Sequence, residues 1–170
     1  TADEVNKYIN EVAFSGAEEF LEKYKDSAKD SGIIGHFGLG FYSAFMVAKE
    51  VEIITKSYKD EPAAHWRCDG SPEYELKKAD KKERGTEIIL HIDKDSKEFL
   101  EESGIKELLS KYNKFMPVPI KFGTREESLP LPDYAAEDAK PETQTVDNII
   151  NNPEPAWTKA PADLKEEDYT

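Results

Sequence analysis

Three glycines, Gly35, Gly38 and Gly40, stand immediately before the apolar run Phe41-Tyr42-Ser43-Ala44-Phe45. The spacing G-x-x-G-x-G leaves backbone N–H groups unshielded by side chains, and a helix opening at Phe41 would add the positive end of its dipole. Gly35, His36, Phe37, Gly38, Leu39, Gly40 and Phe41 therefore form a candidate anion cradle, for which phosphate is the usual occupant. Two familiar phosphate loops are excluded by residue order. A dinucleotide fold reads G-x-G-x-x-G and a P-loop closes on Gly-Lys-Ser/Thr, whereas Phe41-Tyr42 follows the last glycine here. By spacing alone, the same loop serves equally well as a tight turn from a strand into a helix.

The flanking pattern describes an α+β domain. Val5, Tyr8, Ile9 and Val12 fall at i, i+3, i+4 and i+7, the stripe of an amphipathic helix. Ser15-Gly16-Ala17-Glu18 is a capping-box pattern opening a second helix with Phe20, Leu21 and Tyr24, and polar residues 25–32 read as a loop. Phe41 to Ala48 reads as a mostly buried helix. Val51, Ile53 and Thr55 alternate with Glu52, Ile54 and Lys56 in a strand. Turn residues at 59–62 and 69–72 set off strands around His65–Cys68 and Tyr74–Leu76. The clearest strand is Gly85–Ile92, with Thr86, Ile88, Leu90 and Ile92 on one side and Glu87, Ile89 and His91 on the other. Short helices are predicted over 96–102 and 105–112. Pro117 and Pro119 confine the next extended segment to a sheet edge. Strands joined by short hairpins, with helices on one face, make a two-layer α/β sandwich.

Charge and cysteine content narrow the function. The 170 residues carry 36 acidic and 23 basic side chains, a formal net charge of -13. That surplus argues against nucleic acid and anionic membranes as partners, since both need basic patches. Cys68 is the only cysteine, which excludes an intrachain disulfide and fits a reducing, cytoplasmic setting. His36, His65 and His91 lack metal-site spacing with one another or with Cys68, and nothing in the linear order pairs two carboxylates, so no metal site is expected. Between Gly123 and Pro155, eight acidic residues face only Arg125 and Lys140, and five of the ten prolines fall there. Such a segment buries little apolar surface against its chain entropy and reads as an acidic linker, with Val146, Ile149 and Ile150 as a local anchor.

Gly35 to Phe45 also resembles the glycine-rich lid hinge of the ninety-kilodalton heat-shock chaperones. Val51-Glu52-Ile53-Ile54-Thr55-Lys56, the strand holding Trp66, and Arg84-Gly85-Thr86-Glu87-Ile88 resemble successive strands of that family. Lys111-Tyr112-Asn113-Lys114-Phe115 with Pro117 to Ile120 resembles the end of its N-terminal domain. Pro155-Ala156-Trp157-Thr158 and Glu166-Glu167-Asp168-Tyr169 resemble the opening of its middle domain.

The resemblance implies the Bergerat ATP-binding fold, incomplete at its N-terminus. It divides the chain into residues 1–122 from the ATP-binding domain, with a lid over about 1–40, an acidic linker at 123–155, and the start of the middle domain at 156–170. It implies ATP or ADP with Mg as cofactor, the backbone of 35–41 on the phosphates, Thr86 hydrogen-bonding adenine and Ile88 lining the pocket. Catalytic groups and the Mg ligand are expected upstream of Thr1, so the chain is expected to be an inactive piece of an ATPase. Unfolded client proteins and a homodimer are the implied partners. Two positions depart from the family pattern: Phe14 stands where many relatives carry lysine, and His36 where glutamine is usual. Read without the resemblance, Thr86 is a β-former whose hydroxyl finds a backbone partner, and Phe41, Val51, Ile53 and Trp66 are plain core. The alternatives are another ATPase of the same superfamily, or a nucleotide-free module whose acidic tail recruits basic proteins.

Overall fold

A computed structural model describes residues 1–11, 16, 35, 37–129 and 142–164, and the chain divides into two compact units, Thr1–Leu100 and Glu101–Thr170. The second predicted helix, the loop at 25–32 and His36 lie outside the described residues.

In the first unit, α1 (Ala2–Val5) opens with a capping box. Thr1 Oγ1 accepts from the Glu4 backbone N–H at 3.2 Å, while the Glu4 carboxylate takes the Thr1 amino group at 2.8 Å. The helix widens into a π-turn over Asn6–Asn10, and Tyr42 donates its hydroxyl to the Ile9 carbonyl at 2.5 Å. Four antiparallel strands follow: β1 (Ala48–Lys56), β2 (Ala63–Cys68), β3 (Tyr74–Ala79) and β4 (Gly85–Ile92), in the spatial order β3-β2-β1-β4. Gly70, at φ 87, occupies the left-handed region in the β2–β3 turn, as glycine there permits.

Alternation gives the sheet two unlike faces. On one, fully buried Val51 sits with Ile53, Ala64 and Trp66, and Val5, Ile9, Phe41, Ala44 and Phe45 close over them. Thr86, Ile88 and Leu90 continue this face on β4, paired with Thr55, Ile53 and Val51. The other face carries Glu50, Glu52, His65, Arg67 and His91. The expected strands and their two-faced alternation are therefore present, and helical segments cover one face of an antiparallel sheet.

The segment after the glycines differs from expectation. It forms a seven-residue 3-10 helix, Gly40–Met46, in place of a buried α-helix, and Met46 is 79 % exposed. Phe41, Ala44 and Phe45 pack against the buried core of the sheet. So short a helix contributes little dipole to an anion site. Likewise, the helix predicted over 96–102 is a single 3-10 turn, Lys97–Leu100.

The second unit holds α2 (Glu102–Tyr112) and a hairpin of β5 (Lys121–Ser128) with β6 (Thr143–Ile149). The acidic segment from Gly123 to Pro155, read from the sequence as a linker, thus contains most of a hydrogen-bonded hairpin. The main-chain ladder, with the Lys121–Asp147 ion pair at 2.6 Å, holds strands that have little apolar surface to bury. Gly123, at φ 71, sits where the register shifts between Lys121 and Thr124, the glycine of a β-bulge. Pro117 to Ile120 join no strand. Instead Asn151 holds them: its side chain accepts from Ile120 N–H at 2.7 Å and donates to the Met116 and Val118 carbonyls at 2.8 and 2.9 Å. Trp157 is 69 % exposed, with one edge against the Phe115 ring at 4.6 Å between centroids.

Candidate functional site

Of the glycine loop, Gly35, Phe37, Leu39 and Gly40 are exposed, and Gly38 has φ 64. Gly38 is thus the residue whose backbone demands glycine. At Gly35 and Gly40 an added Cβ would meet no heavy atom within 4 Å among the described residues. Glycine there keeps open space beside the main chain, which is what a closely approaching ligand requires. Phe41 turns the other way. Its ring packs edge-on against Trp66 at 5.7 Å and Phe45 at 6.4 Å, so it anchors the loop to the sheet.

Thr86 and Ile88 share the face on which Phe41 packs, but they lie on β4, an edge strand among the described residues. The Thr86 hydroxyl is 2.7 Å from that of Thr55, directly opposite on β1. Its partner is therefore a side chain, where the sequence alone pointed to a backbone group. Ile88 is 50 % exposed and Leu90 36 %, leaving β4 with an apolar, uncovered stretch beside a hydroxyl pair. Such a surface can take a flat apolar ring and offer it hydrogen bonds at one edge.

The nearly buried Trp66 donates its indole N–H to Asn10 Oδ1 at 2.8 Å. Asn10 in turn donates to Asn6 at 2.7 Å, and Tyr74 donates to the same Asn6 oxygen at 3.2 Å. This chain of bonds ties the π-turn to β2 and β3.

Against this geometry, comparison with known proteins is informative over the whole chain. No family model matches it. Chaperone protein HtpG of Bacteroides thetaiotaomicron is 59% identical over 170 residues, covering 99% of this chain and 24% of that protein. Homologues named as HtpG chaperones thus match essentially the whole chain. Chaperone protein HtpG of Porphyromonas gingivalis is 56% identical over 170 residues, and that of Pasteurella multocida 38% over 172, each across 99% of this chain. The chain spans about a quarter of the length of the curated HtpG relatives it matches. Among the described residues, no helix is long and apolar enough to cross a membrane.

One constellation escaped sequence reasoning. On the face opposite the core, Glu52 receives His65 Nε2 at 2.5 Å and His91 Nε2 at 2.6 Å, one on each carboxylate oxygen. Hydrogen bonds first from His91 and then from His65 hold the Glu52 carboxyl below the usual carboxylate range. The two imidazoles are far apart in sequence, so residue spacing could not bring them together. The usable signal was strand alternation combined with the β1–β2 and β1–β4 registers.

Proposed function

We propose that the chain is part of the ATP-binding region of an ATP-dependent chaperone, in which nucleotide binding and hydrolysis drive lid closure and a dimeric clamp that remodels client proteins. The observation that carries the reading is 59% identity to an HtpG chaperone over 170 residues. Residues 1–122 are assigned to the ATP-binding domain with a Bergerat-type fold, and residues 156–170 to the start of the middle domain. Residues 123–155 connect them and contain most of the β5–β6 hairpin. A cytoplasmic location and homodimerisation belong to the same reading.

The residues present suit a nucleotide. Gly38 holds a left-handed turn, and Gly35 and Gly40 leave room beside the backbone, so N–H groups of residues 35–41 can approach a polyphosphate. Phe41 fixes the loop's far end to the sheet through Trp66. Thr86 supplies a hydroxyl for an adenine edge, and Ile88 an exposed apolar contact for its ring. Magnesium, when bound, would neutralise phosphate charge. On this reading, as the resemblance implies, the magnesium ligand and the general base come from residues outside this sequence.

The test is calorimetric titration of the intact protein with ATP and MgCl2. Saturable binding that is lost in Gly38→Val, with circular dichroism unchanged, supports the reading. Equal affinity in the variant would remove the phosphate-cradle assignment.

A further inference from the structure

The open face of the sheet holds two carboxylates that are each gripped at one oxygen and turned by the other toward the same imidazole. Glu50 and Glu52, two residues apart on β1, share that face by strand alternation. Arg67 Nη2 holds Glu50 Oε2 at 2.5 Å, and His65 Nε2 holds Glu52 Oε2 at 2.5 Å. The other oxygens, Glu50 Oε1 and Glu52 Oε1, lie 3.5 and 2.6 Å from His91 Nε2. One donor atom from each of Glu50, Glu52 and His91 falls within 4.8 Å of the others. Ligand atoms around a tetrahedral Zn2+ with its usual bond lengths are roughly 3.3–3.5 Å apart. The 3.5 Å between Glu50 Oε1 and His91 Nε2 already falls in that range.

We propose that Glu50, Glu52 and His91 bind a divalent transition metal of the Zn2+ class, with His65 as the residue that positions Glu52. An imidazole with two carboxylates suits Zn2+ or Co2+, whereas Mg2+ and Ca2+ prefer all-oxygen shells. His65 acts as outer partners of metal-bound carboxylates do, fixing one oxygen so that the other faces the ion. The ion takes the place of the His91–Glu52 hydrogen bond, with the His91 proton carried on Nδ1. Glu50 also lines a cleft of about 340 Å3 with Arg67 and Asp69, and the His91 side chain is 38 % exposed.

Titration of the intact protein with ZnCl2 by calorimetry, after EDTA treatment and dialysis, tests the site. One Zn2+ equivalent is expected, weakened at least tenfold in His91→Gln and in Glu52→Gln. His65→Ala should weaken it by about 10–100-fold at unchanged stoichiometry, as loss of an orienting partner does. Cys68→Ser should bind as the wild type does, since Cys68 does not belong to the set. Co2+ loaded into the wild type should show the intense visible bands of a low-coordinate site, a readout that does not depend on the variants' folding. A wild type without saturable Zn2+ uptake, a His91→Gln variant that keeps the equivalent, or only weak octahedral Co2+ bands would each overturn the proposal.

Discussion

The Trp66 indole N–H meets Asn10 Oδ1 at 2.8 Å, a bond between β2 and the π-turn at the start of the chain. Trp66 is nearly buried, so removing either partner strands a polar group or opens a cavity. Asn10→Ala should cost about 1–3 kcal/mol by leaving the indole N–H unmatched. Trp66→Phe loses the donor and some volume together, and Trp66→Ala should cost about 3–5 kcal/mol. Urea unfolding of the three variants measures the order. An Asn10→Ala midpoint equal to wild type would mean that water replaces the bond.

Gly38 and Gly40 separate conformational from steric need. Gly38→Ala forces a side chain into the left-handed region, at a cost of roughly 1–2 kcal/mol in stability. Gly40→Ala meets nothing within 4 Å among the described residues, so its melting temperature should match the wild type. If residues 35–41 cradle phosphate, Gly40→Ala should nevertheless weaken ATP in a calorimetric titration. Unaltered affinity would leave Gly40 a turn residue.

Thr86 already has a partner in Thr55, which changes what Thr86→Val should do. Both hydroxyls are exposed, so stability without ligand should shift by well under 1 kcal/mol, since water satisfies the remaining Thr55 hydroxyl. ATP affinity in the intact protein should fall by about 1–3 kcal/mol if Thr86 reads adenine. Thr55→Val serves as the control: it removes the cross-strand bond and leaves the Thr86 hydroxyl free. Equal nucleotide affinity in wild type and Thr86→Val would reduce the threonine pair to a sheet contact.

Asn151 fastens the two prolines' segment through three bonds to the backbone of Met116, Val118 and Ile120. Asn151→Ala leaves those groups to find other partners and should cost about 2–3 kcal/mol in the second unit. Hydrogen exchange at the Ile120 amide reads this directly, with faster exchange expected in the variant. Asn151→Asp keeps the acceptor for Ile120 but loses both donations, so its Ile120 amide should stay the better protected of the two.

Acid should weaken one link between α1 and the 57–61 turn. The Lys59 ammonium, ahead of the Thr1 amino group, lowers the Glu4 carboxyl from 4.5 to about 2. A carboxyl depressed in the folded state stabilises above its unfolded value, and that contribution is lost as pH falls from about 4.5 toward 2. Glu4 is 37 % exposed, so solvent screening holds the effect to below about 1 kcal/mol. The wild type's advantage over Lys59→Met should therefore shrink between pH 6 and pH 3 in urea midpoints, and also at high salt. A constant difference across that range would exclude the ion pair as its source.

If the groups that activate water lie outside these residues, as the resemblance implies, residues 1–170 alone should release no phosphate from ATP above the blank. A phosphate-release assay beside the full-length protein measures this. Turnover near the full-length rate would place the base inside this sequence.

Strand identity in the sheet was legible in the linear order because alternation is local. Val51 and Ile53 against Glu52, and Ile88 and Leu90 against Ile89 and His91, announce two faces without knowledge of any neighbour. Gly38 was legible too, since a positive φ falls most readily to glycine. What periodicity could not decide was helix type and pairing partner. Apolar content drew Phe41–Ala48 as a buried α-helix, yet Phe41, Ala44 and Phe45 pack against the core from a 3-10 helix. Low apolar content drew 123–155 as a tether, yet a hydrogen-bonded ladder needs main chain more than side chain, so β5 finds β6. The same reason hid the meeting of His65, His91 and Glu52. Which residues share a face follows from each strand alone, but which of them touch is set by register, and register exists only once the strands have paired.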